Sequence, residues 1–305
     1  MKHIRMFESA EQAAAILPTL EYNTLSAIRG ESGIALKPGV VPGPETIPFY
    51  IDVRGTVTLA ATSGLQMSTD GKTWTDTTAM TLSSGKTYFR VASDQSTPLR
   101  PNWTEDSNSD YDIGGNINSL AKTSFANDTT CYDFNFCFRS KTKLKSAGNL
   151  ILPATTLIPD CYQNMFNSCS SLTTAPELPA TTLAQRCYQG MFTFTSLTTA
   201  PAILPATTLA QQCYQSMFSA CKKLTTAPEL PATTLAENCY TSMFQNCNAL
   251  NYIKCLATDI SASNCTSNWV SNVAASGTFV KNSSMTGWTT DANGIPSGWT
   301  VQDAS

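Results

Sequence analysis

Apolar and polar positions recur at a fixed step through the middle of the chain. The phrase Leu-Pro-Ala-Thr-Thr-Leu begins at Leu152, Leu178, Leu204 and Leu230, each start 26 residues after the last. Cys-Tyr keeps that step from Cys161-Tyr162 to Cys239-Tyr240, and Met-Phe keeps it from Met165-Phe166 to Met243-Phe244. Within a copy, Cys161, Met165 and Cys169 stand four apart, as do Tyr162 and Phe166, so the spacing predicts an apolar stripe on a short helix over residues 161–169. Pro153 excludes a helix upstream, and the β-branched run at residues 171–176 predicts a short strand. A copy cannot bury its Leu, Met, Phe and Cys by itself, so copies must stack, with equivalent side chains forming ladders about 4.8 Å apart.

The flanks differ in pattern. Residues 9–17 predict a short amphipathic helix, and the Pro- and Gly-rich stretch at 38–48 predicts a linker. Alternating runs at residues 49–53, 56–60, 65–68, 72–75 and 86–91 predict strands, with a hairpin at Asp70-Gly71. Together these suggest a small β-sandwich, with residues 112–117 as its last strand or as a joint to the repeats. Residues 122–150 read as a degenerate first copy, because Cys137-Phe138 stands 28 residues before Met165-Phe166. Trp269-Val270 replaces Met-Phe at the far end, where Trp288 and Trp299 make suitable lids. The organisation predicted is therefore residues 1–44 as an attachment segment and linker, 45–121 as the sandwich, 122–270 as the solenoid and 271–305 as a cap.

Cys-x-x-Leu-Thr-Thr-Ala-Pro-Glu-Leu-Pro-Ala-Thr-Thr-Leu, followed by Cys-Tyr and Met-Phe, resembles the BspA-type (Treponema-type) leucine-rich repeat. The resemblance implies a mixed β/α solenoid with a binding or structural role, and it supplies no catalytic residues. Such repeats occur in surface and adhesion proteins of gut and oral bacteria and in related phage products. The opening of the chain is similar to structural proteins of phages of gut Bacteroides. The Ser-Thr-Asp-Gly-Lys-Thr-Trp phrase at residues 68–74 is similar to immunoglobulin-like modules, and the GIPSGW tail at 294–299 to the ends of related repeat proteins.

Charge narrows the function classes. Charged residues make up 13% of the chain and the net charge is −3, with lysines clustered only briefly at Lys141-Lys143-Lys145 and Lys222-Lys223, which argues against a nucleic-acid partner. No apolar run is long enough to span a membrane. The first residues are too polar and acidic for the apolar part of a secretory signal, so maturation in the cytoplasm of the producing cell is expected. Eleven cysteines are present, and eight fall on two laddered positions: Cys161, Cys187, Cys213, Cys239 and Cys265, then Cys169, Cys221 and Cys247. Parallel side chains on a ladder bridge poorly, so these are expected to be free, buried thiols.

No cofactor, metal or catalytic site is expected: there is no CxxC, the one histidine is His3, and the carboxylates Asp160, Glu177, Glu229 and Glu237 are scattered. The Thr-Thr pairs of the repeated phrase are read as strand-forming hydroxyl ladders. Positions that drift among otherwise identical copies are expected to face solvent. They nominate Gln185, Arg186, Gln211, Gln212, Glu237 and Asn238 before the Cys-Tyr pairs, and Phe194 and Gln245 after Met-Phe, as a recognition face for a host-surface glycan or protein. The expectation is a non-enzymatic fibre or decoration protein of a phage virion, held to other virion proteins by its N-terminal segment. The resemblance implies a homotrimer. A bacterial cell-surface adhesin is the alternative, and a glycan-active enzyme a distant third.

Overall fold

Strand-forming runs in the N-terminal part build two antiparallel arrays in the computed structural model, which describes residues 46–304. The strands are β1 (Tyr50–Val53), β2 (Val57–Leu59), β3 (Leu65–Ser68), β4 (Thr75–Asp76), β5 (Met80–Leu82), β6 (Gly85–Val91), β7 (Trp103–Glu105) and β8 (Tyr111–Asn116). β9 (Leu144–Ile151) then joins the larger sheet, whose order is β4-β3-β6-β1-β8-β9; the smaller is β5-β2-β7. Alternation places Ile51, Val53, Leu65, Phe89 and Ile113 of one sheet in the same core as Val57, Leu59 and Trp103 of the other. The helix expected at residues 9–17, the attachment segment 1–44 and the linker as far as residue 45 lie outside the described residues.

β8 is both last strand and joint. It pairs antiparallel with β1 and parallel with β9, which belongs to the first coil of the repeats. The centre of the join is apolar: Phe49 stacks on Phe138 at 5.6 Å, and Trp103 lies 6.1 Å from the same ring. Glu105 adds a polar clasp, accepting from the Tyr111 hydroxyl on one side and from Thr142 and the Lys143 backbone on the other.

From residue 134 onward the chain winds in stacked coils, and here one expectation is corrected. No α-helix occurs among the described residues, so the architecture is all-β and not mixed β/α. The stretch 160–169 is a staircase of tight turns. N–H groups of Gln163, Met165, Asn167 and Cys169 donate to carbonyls three residues back (2.9–3.3 Å). Those of Tyr162, Asn164, Phe166 and Ser168 donate instead to Cys187, Gln189, Met191 and Thr193 of the next coil (2.8–3.0 Å). Alternate residues thus satisfy local and inter-coil bonds, leaving neither set of amides orphaned.

The turns demand a left-handed residue every fourth position: Asp160 (φ 61°), Asn164 (52°) and Ser168 (63°), repeated at Arg186, Gly190 and Phe194 and in each later coil. Two residues then point inward and two outward. This period of four produces the same i, i+4 spacing as a helix, but a real helix would carry Cys169 about 80° round from Cys161. The strand expected at 171–176 shrinks to single parallel bridges, Ser146↔Thr174 and Thr174↔Thr199. A second line of bridges joins Thr156, Thr182, Thr208 and Thr234.

Inside the coils the ladders form as the repeat demands. Phe138, Phe166, Phe192, Phe218 and Phe244 stack in succession at 5.4–5.7 Å. A second column runs Phe134, Tyr162, Tyr188, Tyr214, Tyr240 and ends on Trp269. Trp288 covers Trp269 at 5.5 Å, while a parallel sheet of β10 (Tyr252–Cys255), β11 (Thr278–Lys281) and β12 (Thr300–Asp303) continues one side of the stack. Trp299 ties in through Nε1 to the Ala274 carbonyl (2.7 Å).

Candidate binding face

The staircase fixes which side chains reach water. In each coil two outward pairs follow the Cys-Tyr start, for example Gln163-Asn164 and Asn167-Ser168, and inter-coil backbone bonds set equivalent pairs above one another. From Gln163 to Asn272 no outward pair of these two columns carries a charge. They are amides, hydroxyls and small residues, with one aromatic. Gln163 donates to Gln189 and Gln189 to Gln215, so the amides form a ladder of their own.

The residues nominated from sequence fall into two groups. Gln185, Arg186, Gln211, Gln212, Glu237 and Asn238 stack at the start of the staircase, where much of their bonding capacity is used within the chain. Gln185 Nε2 donates to Gln211 Oε1 (2.9 Å), Gln212 to Gln215 (3.1 Å) and Asn238 to Glu237 (3.2 Å). Arg186 grips Asp160 with two bonds (2.7 and 3.0 Å), and its guanidinium holds that carboxyl below the usual carboxylate range. Phe194 and Gln245 lie at the other end of the staircase, eight residues further along a coil. Gln245 is half-buried, and its carbonyl accepts from Ala220 N–H (2.7 Å).

Phe194 stands apart. It is 60% exposed, the largest exposure of any large apolar residue described, and its backbone is left-handed (φ 59°). Other coils place Ser168, Ala220, Asn246 and Asn272 at this position, residues that are small or adopt such a conformation readily. Its coil is also irregular. Thr195 replaces the second thiol and donates to the Phe192 carbonyl, and one residue lost before Leu197 is regained before Leu204, which leaves Ile203 40% exposed.

The interior offers no nucleophile to this face. All eight ladder cysteines are free and buried, and burial pushes Cys187, Cys221 and Cys239 up to about 12, so they are neutral thiols at ordinary pH. Tyr188 and Tyr214 are likewise held neutral, their hydroxyls without a hydrogen-bond partner, and burial does the same to Tyr162. The polar ladders Gln163–Gln189–Gln215 and Asn246–Asn272 are not among the nominated residues: Gln163, Gln189 and Gln215 do not drift between copies, and the Asn272–Asn246 bond depends on the approach of successive coils.

No family model, curated protein or solved structure matches this chain. The geometry must therefore carry the functional argument by itself. It offers a sealed core, an uncharged polar face repeated up the coils and one exposed aromatic ring on it.

Proposed function

We propose that the chain is a non-enzymatic structural and adhesion protein, a fibre or decoration protein of a phage particle that presents its coils to a host surface. In this reading the repeats are leucine-rich in type with tight turns in place of helices, and the N-terminal sheets are immunoglobulin-like. Residues 1–44 attach to other virion proteins, and three copies associate. The observation that carries the reading is the unbroken core from Phe49 through the Phe ladder to Trp269 and Trp288, which supports a stiff presenting body. Neutral, buried thiols and phenols support a non-catalytic role.

The test has two parts. Gold-labelled antibody against the coils should decorate intact phage particles, and purified, fluorescently labelled protein should bind cells of a gut Bacteroides panel. Label confined to a bacterial envelope would favour the surface-adhesin alternative. Absence of binding to every cell type would refute adhesion.

A further inference from the structure

We infer that the two uncharged outward columns of the staircase, those after the Cys-Tyr and Met-Phe pairs, form a docking strip for a neutral glycan, with a sugar ring seated on Phe194; this rests on the adhesive reading above and names its ligand class. Three observations converge. First, the strip carries no charge from Gln163 to Asn272, so it offers neither a cation for an acidic sugar nor a carboxylate for a basic peptide. Second, its amides keep spare capacity. A side-chain amide has two donor hydrogens and two acceptor lone pairs, and Gln189, having given one bond to Gln215 and received one from Gln163, retains a hydrogen and a lone pair for hydroxyls.

Third, Phe194 is placed as a platform. Its stack neighbours are the short Ser168 and Ala220, and four residues upstream Gly190 stands where later coils and the preceding one carry Asn or Ser and the first carries Phe136. Among the described residues Phe194 has no aromatic or cationic ring partner, unlike Phe136, which Arg139 covers. A phenyl ring this exposed and without an aromatic or cationic partner matches the C–H face of a saccharide, whose rim hydroxyls would meet the surrounding amides. A bulky residue held in a left-handed backbone costs about 1 kcal/mol or more, and nothing in the core requires Phe here, since its side chain points to water.

The test is affinity electrophoresis of the full chain through gels containing dextran, yeast mannan, galactan or arabinoxylan, against gels containing polygalacturonate or dextran sulfate. At least one neutral polysaccharide should retard the protein. Phe194→Ala should weaken that retardation roughly tenfold, and Phe194→Trp should retain it. Ala220 already occupies the equivalent position at φ 59°, so the alanine variant should fold, and its thermal unfolding is measured alongside. Retardation by acidic polymers alone, by none, or equally in the alanine variant overturns the inference. If cell binding by the wild type persists while no glycan retards it, the partner is a protein and adhesion stands without this site. If the wild type binds no cells, adhesion itself fails, whatever the gels show.

Discussion

The rings of Phe166 and Phe192 lie 5.6 Å apart and 3° from parallel, although 26 residues separate them in the chain. Each also meets a further ring, so removing one leaves a void between two flat neighbours. Phe192→Ala should destabilise by about 3–5 kcal/mol, and Phe192→Leu by less. Urea unfolding followed by tyrosine fluorescence checks this. Equal, small losses for both would mean the ladder is not the core.

A different outcome is expected one column away. The Tyr188 hydroxyl is buried with no hydrogen-bond partner, so it contributes desolvation cost and no bond. Tyr188→Phe should therefore stabilise by about 1 kcal/mol, seen as a higher urea midpoint at unchanged slope. A clear loss of stability would reveal a bond to that hydroxyl.

Backbone handedness gives a third expectation. Ser216 sits at φ 55° with its side chain outward. Ser216→Val places a β-branched residue in the left-handed region and should cost about 1–2 kcal/mol, whereas Ser216→Gly should be neutral or stabilising. A helix at this position would reverse the order, because glycine is the poorer helix former and valine only mildly unfavourable. Thermal unfolding of the pair distinguishes the two.

The thiols link stability to pH. Unfolded cysteine titrates near 8.5, while burial pushes Cys187, Cys221, Cys239 and Cys255 up to about 12 in the folded chain. Between those values the folded state holds more protons, so this stability is complete below about pH 8 and falls as pH rises toward 12. Urea midpoints should be flat from about pH 7 to 8 and drop steeply above 9. Half-buried Cys131 differs, since the Cys161 thiol bonds to it and lowers its pKa. In native protein at about pH 8 it should be the first thiol to react with a chromogenic disulfide, and Cys131→Ser should remove that fast phase.

Much of this was legible from residue order. The 26-residue step named the ladder partners, the stretched spacing to Cys137-Phe138 marked the first coil, and Trp269 marked the last. Strand β3 falls where its alternation placed it, and β6 differs by one residue. The helix was misread because periods of 3.6 and 4 both yield i, i+4 pairs over nine residues. What separates them is the adjacent apolar pair repeated at Cys161-Tyr162 and Met165-Phe166, together with Asn, Ser, Asp or Gly at most of the fourth positions, which supplies the left-handed turns. The short strands β5 and β7 lacked clear alternation. At the candidate face, Phe194 was visible as a deviant letter. The bonds that occupy Gln185 and Arg186 were not, because they depend on how closely successive coils approach.

Far-ultraviolet circular dichroism of the full chain tests the staircase most directly. Coils built from alternating local and inter-coil bonds predict a β- and turn-type spectrum without the helical double minimum, lost cooperatively on heating. A helical signal of the size that one nine-residue helix per coil would give, or its selective loss in a variant lacking two coils, would contradict the two-in, two-out turn geometry on which the neutral face and its exposed ring depend.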